Sequence, residues 1–171
     1  MESLLNDYYL QSLHVSKFIP RKVLLHEDSF QLIGAALTGK TTLLKQYLLT
    51  CKKNSYLYLD CRDRRIDTNL LNNHLEVFCQ EKSIEILVLD NYIPTIMLPH
   101  VKQLIIASEL KQDNTLDTVY LNPLDYEEFL AYEPKFDSTV LNHFLQLGGY
   151  PIMHSLASES RHLYLQEQLA S

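Results

Sequence analysis

Short apolar runs alternate along the chain with segments whose apolar residues recur every three or four positions, a pattern that predicts an α/β protein. Residues 2–14 set Leu4, Leu5, Tyr8 and Leu13 near one face of a helix. FIPRKVLL, residues 18–25, leads through a proline towards a short apolar run, Phe30 to Ile33, that stops at Gly34. TTLLKQYLLTCKK follows with helix-forming composition, so the first unit reads as strand, loop and helix. NSYLYLDCRD holds a second strand, Tyr56 to Asp60, and TNLLNNHLEVFCQ, residues 68–80, a helix with a Thr68 cap. IEILVLDN, residues 84–91, is almost unbroken aliphatic sequence, as expected of a central strand covered on both faces of a parallel sheet. Pro94 and Pro99 bracket a loop or short helix, KQLIIAS at 102–108 is a fourth strand, and TVYLNP at 118–123 is a fifth. Five strands with intervening helices predict a mainly parallel sheet flanked by helices.

From Leu124 onward the pattern turns helical: LDYEEFLAYE, STVLNHFLQLGG and PIMHSLASESRHLYLQEQLA, separated by Pro134 and the pair Gly148–Gly149. This predicts a core over residues 1–123 and a small C-terminal helical lid over 124–171, with a soft boundary because no low-complexity linker divides them. A chain of 171 residues suits one sizeable core with a small appendage. Its 46% hydrophobic and 21% charged residues have none of the apolar depletion of disorder. There is no run of 18 apolar residues, and MESLLNDYYLQSLH lacks the basic lead and apolar core of a secretory signal. Both point to a cytoplasmic protein with no membrane partner. Cys51, Cys61 and Cys79 show no CxxC spacing and read as reduced structural thiols, and the seven histidines show no metal-ligand spacing. A net charge of −6 gives no support to nucleic-acid binding by counterion release.

Glycine is sparse, with only four residues, and they fall in two places: Gly34 and Gly39 in GAALTGKT, and Gly148 and Gly149 in LGGYP. GAALTGKT, between a predicted strand and a predicted helix, has the order and spacing of a P-loop, which predicts a bound nucleoside triphosphate. Backbone amides of Ala35, Ala36, Leu37, Thr38, Gly39, Lys40 and Thr41, with the positive end of the helix, would cradle the β- and γ-phosphates. Lys40 would set its ammonium between those phosphates, Thr41 would fill one position around magnesium, and Thr42 would assist at the α-phosphate. Asp90, at the tip of ILVLD, would hold magnesium through water. Asn91, next in sequence, can orient an attacking water but cannot accept its proton, so slow hydrolysis is expected. Asp60 and Glu109 are nearby carboxylates at other strand ends. Nothing resembles the NKxD signature that reads guanine, which leaves ATP with Mg2+ as the expected ligand.

IPRKVLL, FQLIGAALTGKTTLLKQYL, YLYLD, ILVLDN, LIIAS, YLNPLDYEEFL and LGGYP fall in an order that resembles the prokaryotic AAA+ and STAND-like ATP-binding proteins, over roughly residues 18–155. The resemblance implies a P-loop ATPase fold with Lys40 and Thr41 as phosphate and magnesium residues and Asp90 as the acidic partner. It implies that Ser108, at the tip of LIIAS, is a polar sensor beside the γ-phosphate, although a strand-end serine also caps turns. PLDYEEFL resembles the family's docking helix, with Phe129 and Leu130 in the core and Glu127 and Glu128 solvated. Gly148, Gly149, Tyr150 and Pro151 resemble the turn that opens the lid and packs near adenine. The chain departs from the family in having Asn91 where a glutamate is common, and in having no arginine after Ser108, where Lys111 is the only nearby cation. Relatives usually continue into a winged-helix or nuclease-like domain.

Arg62, Arg64 and Arg65 in DCRDRR would grip an anionic acceptor in a small-molecule kinase. Interleaved with Asp60, Asp63 and Asp67, they read more simply as a self-neutralising surface loop. Three functions follow: a slow ATPase that acts as a nucleotide-dependent switch for a protein partner or for self-association, a small-molecule kinase, and a hydrolysis-deficient ATP-binding module.

Overall fold

The computed structural model describes residues 1–15, 20–131 and 139–154, together with 156, 160, 161, 163, 164 and 166. The segment FIPRKVLL therefore enters the described chain at Pro20, and Pro134 and half of the expected last helix lie outside the described residues. The order of elements is α1 (Glu2–Leu10), β1 (Phe30–Ile33), α2 (Lys40–Thr50), β2 (Tyr56–Asp60), α3 (Thr68–Glu81), β3 (Ile86–Asp90), β4 (Gln103–Ser108), β5 (Asp117–Tyr120), α4 (Tyr126–Leu130) and α5 (Thr139–Leu147), then a 3-10 turn at Pro151–His154. No helix among the described residues is long and apolar enough to cross a membrane.

The five strands form one sheet in the order β2-β3-β4-β1-β5. All neighbours run parallel, with Tyr58 opposite Val88, Val88 opposite Ile105, and Phe30 between Ile105 and Asp117. Strand side chains alternate between two faces, and the apolar residues divide accordingly. Leu57, Leu59, Leu87, Leu89, Leu104 and Ile106 pack with Leu5 of α1 and with Leu71, Leu75 and Phe78 of α3. Phe30, Leu32, Tyr58, Val88, Ile105 and Ala107 pack on the other face with Leu44 and Leu48 of α2. The i, i+4 spacing of Leu44 and Leu48, and of Leu71 and Leu75, is what lets each helix bury one stripe. Each leucine so buried contributes about 1.5–3 kcal/mol relative to exposure.

Several expectations change in detail. The aliphatic run ILVLD is an interior strand, but β4 holds the middle position. Thr68 begins α3 while Asp67 caps it, its side chain accepting a hydrogen bond from the Leu70 amide at 3.0 Å. The connections at 91–102 and 109–116 contain no helix. In place of a helix over β1 on the α1/α3 face, the fully buried side chain of Gln31 fastens the second of these loops. Its amide nitrogen donates to the carbonyls of Asp113 and Leu116 and to the Thr118 hydroxyl, and its oxygen accepts from the amides of Gln112 and Asp113 at 3.1 and 3.3 Å. A buried amide left unpaired costs about 1–3 kcal/mol, so this residue lets a polar loop cover part of a sheet face.

Beyond β5, Leu124, Phe129 and Val140 form a small core of their own with Tyr126, Leu130 and Phe144 around it. Asp125 caps α4 in a reciprocal box: its carboxylate accepts from the Glu128 amide and its own amide donates to the Glu128 carboxylate. Gly149 lies flat against this segment. A Cβ there would sit 2.2 Å from the Leu124 carbonyl oxygen, and the Leu124 amide donates to the Gly149 carbonyl at 2.6 Å.

Candidate functional site

Because the strands are parallel, their carboxyl ends share one edge of the sheet, where α/β proteins of this kind bind ligands. The segment Gly34–Thr41 lies there, between β1 and α2. The Gly34 amide donates to the Ser108 carbonyl at 3.2 Å, extending the β1–β4 ladder by one residue before the chain turns. Gly34 has no room for a side chain, since a Cβ would meet the Leu121 carbonyl oxygen at 2.4 Å. Thr38, fully buried, closes the turn by donating from its hydroxyl to the Ala35 carbonyl at 2.9 Å. Leu37 and Gly39 adopt left-handed conformations, φ 66° and 95°. For leucine that conformation costs on the order of 1–2 kcal/mol, a strain of the sort that clusters at ligand-binding turns. Gly39, the N-cap of α2, has no side chain with which to cap the first-turn amides of the helix.

Lys40 opens α2 and is 7% exposed. Its ammonium curls back onto its own loop, donating to the carbonyls of Gly34 at 2.6 Å and Ala35 at 2.9 Å. Among the described residues no carboxylate lies within ion-pair distance of it. Burial pushes its pKa down, and the more distant charges of Glu109 and Asp90 only partly oppose this. A buried ammonium held by neutral carbonyls has a strong unmet demand for an anion.

Asp90, fully buried, ends β3 two residues after Val88 and therefore points to the α2 side of the sheet. One carboxylate oxygen accepts from the Thr41 hydroxyl at 2.5 Å and from the Tyr58 hydroxyl at 2.7 Å, and the other from the Asn91 amide at 2.9 Å. Burial and the adjacent Asp90 push the Tyr58 phenol far above its ordinary value, so it serves as a donor. Asn91 sits in the left-handed region at φ 53°, and its side-chain amide donates to Asp60 at 2.9 Å. Asp60 lies opposite Asp90 in the sheet and also accepts from the Arg62 amide at 3.1 Å. Ser108 reaches the same edge from β4, but its hydroxyl donates to the Leu110 carbonyl at 2.5 Å, as a turn-capping serine does. Arg62 and Glu109 pair across the rim at 3.2 Å, and Arg65 pairs with Asp63, so two of the three arginines of DCRDRR are matched by nearby acids.

Thus Lys40, Thr41, Asp90, Asn91 and Ser108 all lie along one edge of the sheet, with Ser108 on the parity of Leu104 and Ile106 and so on the face opposite Asp90, while Ala35, Ala36 and Thr42 are exposed. The sequence reading missed three participants. Tyr58 was within reach, because in YLYLD it shares parity with Asp60 at one end of a strand paired to β3. Arg21 and Glu128, 107 positions apart, carry no local signal. Glu128 is 8% exposed, which corrects its expected solvation, because Arg21 Nε donates to it at 3.0 Å and the Lys22 amide at 2.7 Å. The glycine-rich turn also reaches the loop: a Cβ at Gly39 would lie 3.5 Å from Pro151 Cγ and 3.6 Å from Arg21 Nη1.

Thr41 and Asp90 offer two hard oxygen donors in contact. That suits magnesium, which takes few protein ligands and fills its octahedron with water and phosphate oxygens. Among the described residues no group of three or more His, Cys, Asp or Glu gathers as a protein-only metal site. Comparison with known proteins finds no family model and no curated protein that matches this chain.

Proposed function

We propose that the loop Gly34–Thr41 is a P-loop, that it binds ATP with magnesium, and that the chain is a slow AAA+-like ATPase acting as a nucleotide-dependent switch. The observation that carries this reading is Lys40. Among the described residues its buried ammonium, at the start of a helix whose cap residue is a glycine, has two carbonyls of its own loop as hydrogen-bond partners. A triphosphate there would accept from Nζ and from the first-turn amides of α2, and its charge would reverse the downward push on the lysine pKa. Thr41 and Asp90 would hold magnesium, with Tyr58 fixing the orientation of the Asp90 carboxylate. Bound there, the metal supplies charge neutralisation for the phosphates. Asn91 is tied to Asp60 and offers no base, which supports slow turnover or the hydrolysis-deficient alternative. The kinase alternative is weakened because Arg62 and Arg65 already have acidic partners.

Release of ADP from the purified chain, with and without a panel of small hydroxyl and carboxylate acceptors, separates the readings. The switch predicts slow, acceptor-independent ADP that disappears in Lys40→Ala. Acceptor-dependent turnover would favour the kinase, and tight ATP binding without ADP the hydrolysis-deficient module.

A further inference from the structure

Arg21 joins three separate parts of the chain through one buried guanidinium, with 6% of its side chain exposed. Nη1 donates to the Thr38 carbonyl at 2.8 Å, Nη2 to the Asn122 carbonyl at 2.6 Å, and Nε to the Glu128 carboxylate at 3.0 Å. The first contact has a directional consequence. In a trans peptide the carbonyl of one residue and the N–H of the next lie in one plane and point in opposite directions. The chain has no cis peptide among the described residues, so a Thr38 carbonyl fixed on Arg21 aims the Gly39 amide away from it. The other two contacts run into the α4 segment. Glu128 also receives the amides of Lys22 and of Asp125, and so closes the capping box that starts α4. The fixed fork of an arginine can hold three acceptors at these angles, whereas a lysine ammonium cannot span them.

We infer that Arg21 is a positioning residue that sets the Gly39 amide for the phosphates of the bound nucleotide and, through Glu128, couples occupancy of the loop to the α4 segment. The inference rests on the reading of Gly34–Thr41 as a nucleotide loop and adds a route by which occupancy leaves the site. An anion that draws the Gly39 amide turns the Thr38–Gly39 peptide, which moves the acceptor of Nη1 and hence the partner of Nε. Pro151, against Gly39 on the same side, carries the same displacement to the glycine-rich turn.

The test compares Mg·ATP titration calorimetry with hydrogen exchange, for the wild type, Arg21→Lys, Glu128→Gln and Lys40→Ala. Arg21→Lys is expected to weaken ATP at least tenfold, about one lost hydrogen bond to a charged group. In the wild type saturating ATP slows exchange of the Glu128 and Phe129 amides, which bond Asp125. In Arg21→Lys and Glu128→Gln, also saturated with ATP, that slowing is lost, a readout that a merely structural role would leave unmoved. Affinity within twofold of the wild type in Arg21→Lys, or persistent slowing in either variant, overturns the inference. Should Arg21→Lys fail to fold, exchange in Glu128→Gln carries the test alone. If the wild type itself binds no ATP, or Lys40→Ala binds it equally well, the nucleotide reading fails first and takes the inference with it.

Discussion

Replacing Tyr58 with phenylalanine removes one oxygen atom and leaves the ring in its place in the core beside Val88. The lost hydroxyl donates at 2.7 Å to a carboxylate oxygen of fully buried Asp90. Hydrogen bonds to charged groups contribute about 1.5–3 kcal/mol. The Thr41 hydroxyl remains on the same oxygen, so the lower end applies, about 1.5 kcal/mol. For a domain of this size each kcal/mol moves the melting temperature roughly 2–4 °C, so Tyr58→Phe should melt roughly 3–6 °C below the wild type. Tyr56→Phe is the matched control. That residue lies two positions earlier on β2, is half-buried, and among the described residues its hydroxyl has no hydrogen-bond partner. It should fall within about 0.5 kcal/mol of the wild type. Circular dichroism melts of the three proteins at pH 7 decide the matter. If Tyr58→Phe melts within 1 °C of the control, the tyrosine does not hold Asp90 and the network drawn here is wrong.

Gly149→Ala forces a methyl against the backbone oxygen and nitrogen of Leu124, and urea unfolding should show a loss of about 1–3 kcal/mol. Gln31→Leu leaves the amides of Gln112 and Asp113 without their acceptor, and limited proteolysis should then cut preferentially within 109–116 while the wild type resists. Burial pushes the thiols of Cys61 and Cys79 up to about 12, against an ordinary value near 9.0. Above that ordinary value the unfolded chain loses these protons before the native one, so stability from this source is complete below about pH 9 and declines as pH rises towards about 12. Urea titrations at pH 8 and pH 10.5 should show that fall, and a thiol reagent at pH 8 should label half-buried Cys51 ahead of the other two. Equal labelling of all three in the native protein would contradict their burial.

The core was legible where local pattern and chemistry agree. FQLI, YLYLD, ILVLD and QLIIAS are aliphatic or alternating runs bounded by glycine or charge, and each is a strand within a residue or two of its expected limits. The position of GAALTGKT between a strand and a helix was legible because a glycine closes the apolar run before it and helix formers follow it. Strand order was not, since nothing in ILVLD or QLIIAS says which of two equally apolar strands takes the middle. Gln31 hides for a related reason: a polar residue inside FQLI looks like a solvent-facing position, yet it is fully buried, with partners supplied by a loop and by Thr118 of β5. Glu128 was expected to be solvated from the resemblance of PLDYEEFL to a docking helix. Only the fold brings Arg21 to its carboxylate, and only the cap at Asp125 turns it inward. Long-range pairs of this kind leave no periodicity in the sequence, while Tyr58 and Asp90 show that strand parity can reveal a contact when the register is known.

The central claim is that Lys40 and its loop hold a triphosphate. Calorimetric titration of the purified protein with ATP, with magnesium and again with EDTA, tests it most directly when Lys40→Ala is titrated alongside. The expected result is one site per chain, tighter with magnesium, and weakened by tenfold or more in Lys40→Ala, the loss of at least one charge-assisted bond. Equal affinity in the two proteins, or no binding by the wild type, would contradict it.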